Sequence, residues 1–181
     1  MGNSLSNFRD WYVGPLKLLY PNRNAGFPIA MVAFPLLERY IRQRVGLRGH
    51  DPLNDAFFRV LCVVVPDIKT EDVARRFWSA YRNGLLHEVT LSKETRRGAA
   101  LPVAWLSHDM PLFSIDQNGD YWLHPVLFAE RVVAVIEGDF QTFESGSAAI
   151  NPLPVVQVAS NYAATGTGTT VNLTTIGTKG G

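Results

Sequence analysis

Residues 70–88 read Thr70-Glu71-Asp72-Val73-Ala74-Arg75-Arg76-Phe77-Trp78-Ser79-Ala80-Tyr81-Arg82-Asn83-Gly84-Leu85-Leu86-His87-Glu88, and the fold turns on how this stretch winds. Thr70 is a helix N-cap residue type, and two acids follow it in the first turn, where the helix dipole favours negative charge. The segment therefore predicts a helix from Thr70 to about Glu88. Wound at roughly 100° per residue, it puts Val73, Phe77, Ala80, Tyr81 and Gly84 on one face, widened by Ala74, Trp78 and Leu85. That face is the core side. Arg75, Ser79, Arg82, Asn83, Leu86 and His87 fall on the other side, with Arg82 and His87 about 140° apart. Residues five apart do not pair locally as residues three or four apart do. A ligand meets both side chains only if the helix is interrupted at Gly84 or a second surface closes a cleft over it. Leu86, apolar on this polar face, fits such an interface.

Upstream, Ile29, Val32, Ala33, Leu36, Leu37, Tyr40 and Ile41 recur at three and four, predicting a long helix from about Phe27 to Val45. Pro35 lies inside it, where a proline removes a backbone bond and should bend or split the helix. Gly46 and Gly49 end it. Asp51-Pro52 reads as N-cap and first helical residue of a second helix, Leu53 to Val65, stopped by Pro66. Residues 1–26 mix Phe8, Trp11, Tyr12 and Tyr20 with turn formers and read as an N-terminal arm packed by its aromatics, with a short helix possible around Leu16 to Tyr20.

Downstream, Val89 to Ala100 is polar and reads as a loop. Asp116-Gln117-Asn118-Gly119-Asp120 then separates the apolar runs Pro111–Ile115 and Tyr121–Leu123, which predicts a β-hairpin. His124-Pro125 opens a last helix reaching Phe143. From Gly146 the composition shifts to Ser, Ala and Pro, then to Thr and Gly with almost no charge. Residues 146–181 thus read as a low-complexity, disordered tail.

One ordinary domain is expected from 181 residues, with 46% apolar and 18% charged composition. A formal net charge of +1 argues against a polybasic nucleic-acid binder, although a local arginine cluster can still hold a phosphate. The single cysteine, Cys62, cannot form an intramolecular disulfide. No stretch near Met1 reads as a signal peptide, and no apolar run approaches the roughly 20 residues of a membrane span. The expectation is a cytoplasmic protein in a reducing compartment.

Arg82-Asn83-Gly84-Leu85-Leu86-His87, with an aromatic before it, resembles the signature of the HEPN superfamily: an arginine, four to six residues, and a histidine at the end of a helix in a helical bundle. Arg82, Asn83 and His87 match it residue by residue, and the resemblance spans about residues 27–145. It implies a mainly α fold, a four-to-five-helix bundle of HEPN type, with the β-hairpin as an elaboration before the last helix. It also implies a homodimer with the motifs facing across a cleft and, in active members, metal-independent cleavage of RNA, as in bacterial toxin–antitoxin and phage-defence systems. In that chemistry a ribose 2′-OH attacks the adjacent phosphate. His87 is general base or acid, Arg82 holds the phosphate, and Asn83 orients the arginine or binds the phosphate or ribose. Arg75 and Arg76 would extend a phosphate-binding strip, and Glu38 on the first long helix is a candidate contact for Arg82 or His87 across the bundle. An antitoxin or defence protein is an implied partner. The competing class is a non-catalytic helical dimerisation module that binds RNA, a nucleotide or a partner protein. On a purely structural reading, Arg82 is a solvated surface residue and His87 a helix-end histidine favourable to the dipole.

Other candidates are weaker. His50, His108 and His124 have no second ligand at metal spacing, so no metal site and no cofactor are predicted. Ser107-His108-Asp109 has triad residue types, but sequence neighbours cannot form the triad's relay. Asp116–Asp120 lacks the spacing of a calcium loop. The four tryptophans read as core or interface aromatics, with base stacking the lesser reading.

Overall fold

The computed structural model describes residues 4–82 and 103–145, all within one unit spanning Met1–Ala149. The fold is mainly helical with a small sheet. Its centre is α3 (Gly26–Val45), which makes its most extensive contact with α6 (Pro125–Gly138) and also packs on α4 (Asp55–Val64) and α7 (Phe140–Ser145). Phe34 lies at the heart of this packing, fully buried. Its ring sits 4.6 Å from that of Phe128, 5.7 Å from Phe77, 5.8 Å from Trp78 and 6.0 Å from Tyr81, centroid to centroid.

The helix α3 runs through Pro35 without a break. Pro35 is on the exposed side, where water can take the carbonyl that the ring leaves unpaired, so the expected split does not occur. Gly46 ends the helix at φ 72°, a left-handed conformation that glycine takes without a Cβ clash, and the Leu47 N–H returns to the Arg42 carbonyl.

Two helix boundaries differ from expectation. The next helix starts at Asp55 rather than behind Asp51-Pro52: the Asn54 side chain caps it by accepting from the Phe57 N–H at 3.0 Å. Asp51 is instead spent on the loop, where its carboxylate accepts from the Arg48 N–H at 2.7 Å. The last helix is also divided. Asp139 breaks it after Gly138, and α7 follows. The Asp139 carboxylate accepts from Thr142 Oγ1, Tyr40 and Arg44, which hold it below the usual carboxylate range, Thr142 foremost. Three donors outweigh the continuity of the apolar stripe.

The N-terminal arm is helical. The helix α1 (Ser4–Phe8), a π turn (Arg9–Val13) and α2 (Gly14–Leu19) follow without interruption. Phe8 packs against Phe140 and Phe143 at 5.8 and 5.4 Å. The arm therefore contributes to the core, burying Phe8, Val13 and Leu16, while Trp11 is 56% exposed.

The expected hairpin is present: β2 (Phe113–Ile115) pairs antiparallel with β3 (Tyr121–Leu123), Phe113 opposite Leu123. Asp116 organises its turn, accepting from the Asn118 and Asp120 N–H groups and from the Trp122 indole, with Gly119 at φ 82°. The sheet has a third strand that the hairpin reading missed. The strand β1 (Ala104–Leu106) lies parallel to β3 on its other side, giving the order β1-β3-β2. Among the described residues no helix is long and apolar enough to cross a membrane. The calls on 83–102 and on the tail at 146–181 fall outside the described residues.

His124 caps α6, its Nδ1 accepting from the Leu127 N–H at 3.2 Å. Its ring stands 5.3 Å from that of His108. Burial first, then the His108 charge, lowers its pKa below the ordinary 6.5, against smaller opposite pulls from backbone hydrogen bonds and, last, from Glu130. The unfolded chain then takes up this proton first as the pH falls. The neutral ring therefore contributes stability above about pH 6.5, and that contribution is lost as the pH drops below it. His124→Asn, which retains a capping acceptor without a titrating group, is expected to flatten stability between pH 7.5 and 5.5 in urea titrations. An unchanged slope would rule His124 out as its source.

Candidate functional site

Thr70 Oγ1 accepts from the Val73 N–H, and α5 (Glu71–Trp78) follows. Ala74, Phe77, Trp78, Ala80 and Tyr81 are buried and Val73 is half-buried, so the predicted core face is observed as far as Tyr81; Gly84 and Leu85 lie outside the described residues. The winding changes at Ser79, where residues 79–82 form a π turn rather than continuing the α-helix. Such turns are rare and cluster at functional sites. The angle of about 140° drawn between Arg82 and His87 concerns residues 83–87, which lie outside the described residues. Gly84, where the sequence allows an interruption, is among them.

Tyr81 anchors this turn to the sheet. Its hydroxyl is 2.9 Å from both the Trp105 and Tyr121 carbonyls, on the neighbouring strands β1 and β3, and burial pushes its pKa up. Tyr81→Phe leaves two interior carbonyls short of a donor. It is expected to cost about 1–3 kcal/mol in chemical denaturation, and a loss near zero would refute the anchor.

Arg82, the next residue, reaches α3. Its Nε donates to Glu38 Oε2 at 2.9 Å, while the other carboxylate oxygen, Oε1, accepts from Arg42 Nε at 2.9 Å. One carboxylate thus sits between two guanidiniums. The three side chains are mostly shielded, 24% exposed for Arg82, 13% for Glu38 and 15% for Arg42, so solvent weakens the pairs less than at an open surface. Arg42 also donates from Nη1 to the Arg48 and Asp51 carbonyls at 2.9 and 3.0 Å. It ties the loop after α3 to the same network. Sequence reasoning named Glu38 as a contact and passed over Arg42, although Glu38 and Arg42 have the i,i+4 spacing of a helical ion pair.

A cleft of about 450 Å³ opens beside this network, between α3, α4 and α5. Glu38, Arg42 and Arg82 border it together with Arg75, Trp78, Ser79 and Phe58. Arg75 lies over the Phe58 ring, 4.2 Å from its centroid, and pairs with Asp55 on α4. Arg76, its neighbour, turns away. It does not line the cleft and pairs with Asp72 one turn earlier at 2.9 Å. The arginine strip is thereby divided, Arg75 and Arg82 sharing the cleft and Arg76 lying outside it. Asn83 and His87 lie outside the described residues.

The other candidates are scattered. Asp109 pairs with Arg23 and its backbone N–H donates to Ser107 Oγ at 3.2 Å, while His108 faces His124, so these three do not form a relay. Among the described residues, no group of three or more His, Cys, Asp or Glu side chains is arranged to hold a metal ion. The cleft sets Arg42, Arg75 and Arg82 beside aromatic and apolar walls, with Glu38 and Asp51 among them. Asp55 pairs with Arg75, so the surplus of positive charge lies at Arg42 and Arg82, which share one carboxylate. No protein-family model matches this chain, and neither the curated proteins nor the solved structures compared with it include a match.

Proposed function

We propose that this chain is a HEPN-type endoribonuclease that cleaves RNA without a metal, by 2′-OH transesterification at a site shared between two copies. The observation that carries this reading is the position of Arg82, the first residue of the Arg-x4-His motif. It stands at a π turn on the border of an arginine-lined cleft, its guanidinium aimed by Glu38 from the central helix. A guanidinium so held is oriented before substrate arrives, and its positive charge favours a phosphate whose charge grows in the transition state.

His87 takes the proton from the attacking 2′-OH or returns one to the leaving 5′ oxygen; an imidazole suits both tasks near neutral pH. Two-fold symmetry brings the second His87 needed for the opposite transfer. The products are a 2′,3′-cyclic phosphate and a free 5′-OH, so the bonds made and broken at phosphorus balance without a cofactor. A bacterial toxin or phage-defence component is the role this chemistry fits, with an antitoxin or defence protein as its partner.

The test is incubation of the full chain with total or transfer RNA in EDTA, beside His87→Ala. Cleavage that leaves cyclic-phosphate ends and disappears in the variant supports the enzyme. RNA left intact by the folded wild type sinks it and leaves the non-catalytic RNA-binding or dimerisation module.

A further inference from the structure

The pairing of Arg75 argues that its task differs from that of Arg82. One face of its guanidinium covers the Phe58 ring, and one of its Nη groups donates to the Asp55 carboxylate at the edge. The carboxylate largely offsets its charge, which makes Arg75 a poor phosphate anchor. What remains on offer is the other face of a flat, delocalised plane, on a side chain that is 42% exposed at the cleft. Guanidinium planes of this kind stack nucleobases, as aromatic rings do. Phe58 beneath and Asp55 at the edge restrict the rotation of the plane, so little freedom is left to lose when a base settles on it.

Arg82 and Arg42 line the same cleft. The exposed face of Arg75 and the two guanidiniums that share Glu38 thus border one cleft of about 450 Å³, within the size range of small-molecule sites. We propose that the Phe58–Arg75 stack is a shelf for an unpaired nucleobase, so that the cleft takes one nucleotide of a single strand, base on Arg75 and phosphate toward Arg82. The proposal rests on the reading of the protein as RNA-directed and adds the form of RNA it accepts. Bases within a duplex are stacked on each other and cannot reach the shelf.

Binding rather than cleavage is the test. The full chain is titrated by fluorescence anisotropy with a short 2′-O-methyl oligoribonucleotide, whose blocked 2′ oxygen cannot attack. The same strand carrying abasic positions, and its duplex, serve for comparison. Wild type is expected to prefer the base-bearing single strand roughly tenfold over both. Arg75→Lys keeps the charge and removes the plane; it is expected to abolish that preference while leaving affinity for the abasic strand unchanged. Near-UV circular dichroism and urea midpoints verify that the variant is folded, and Arg75→Gln repeats the test should Lys perturb the Asp55 pair.

Equal affinity of wild type for the base-bearing and abasic strands would overturn the shelf, as would full preference in both variants. The two readings fail separately. A base preference in a protein that leaves RNA intact in EDTA retains the shelf and removes the nuclease, and cleavage without a base preference does the reverse.

Discussion

Arg82→Ala is expected to lower RNA cleavage in EDTA by about a thousandfold, the loss typical of removing one preorganised donor to transition-state charge together with its positive charge. Arg82→Lys should recover part of this, because an ammonium restores charge without the planar fork that fits a phosphate. Neither loss is a folding effect. Glu38 retains Arg42 at 2.9 Å when Arg82 is truncated, so the carboxylate is not abandoned, and the stability cost is expected to stay at about 1–2 kcal/mol. Urea denaturation at pH 7.5 separates the two quantities. Glu38→Gln sharpens the argument: it keeps the shape while removing the charge that holds both guanidiniums, so its effect should appear in kcat more than in KM. Unaltered cleavage by Arg82→Ala would remove the arginine from the mechanism and with it the main support for the nuclease reading.

Phe34→Ala is expected to destabilise the fold by about 4 kcal/mol, lowering the thermal midpoint by roughly 10 °C. Four aromatic rings from α5, its π turn and α6 surround Phe34, and none of them faces solvent enough to collapse cheaply into the space. Phe34→Leu, which retains most of the volume, should cost about 1–2 kcal/mol. Because Phe34 also supports Tyr81 and Trp78, the alanine variant is expected to loosen the turn that carries Arg82 before the whole domain unfolds. Hydrogen exchange at residues 77–82 measures this directly. A loss below 1 kcal/mol would mean that the core is organised around something else.

The helical periodicities of the chain carried well because they depend only on spacing. The stripe from Ile29 to Ile41, the aromatic face of residues 73–81 and the hairpin around Asn118-Gly119 are all present where the pattern puts them. Helix starts and stops were less legible. Asp51 and Asn54 are both capping residue types three positions apart, and the choice between them was made by Arg42, which holds the Asp51 carbonyl in a loop from another element. The strand β1 was invisible for a related reason: three residues carry no period of their own, and Ala104–Leu106 is a strand only because β3 lies beside it.

From the sequence alone came the candidate set, Arg82 with Asn83 and His87, through its resemblance to a family motif, and the core side of the helix as far as Tyr81, since periodicity is a local property. The tertiary structure decided what Arg82 faces. It placed Glu38 between Arg82 and Arg42, separated Arg75 from Arg76, and introduced a π turn at residues 79–82 that no propensity signalled. Each of these is settled by partners far away in the chain, where the free energy of burying Tyr81 against two strands, or of sharing one carboxylate between two cations, outweighs the preference of any short segment.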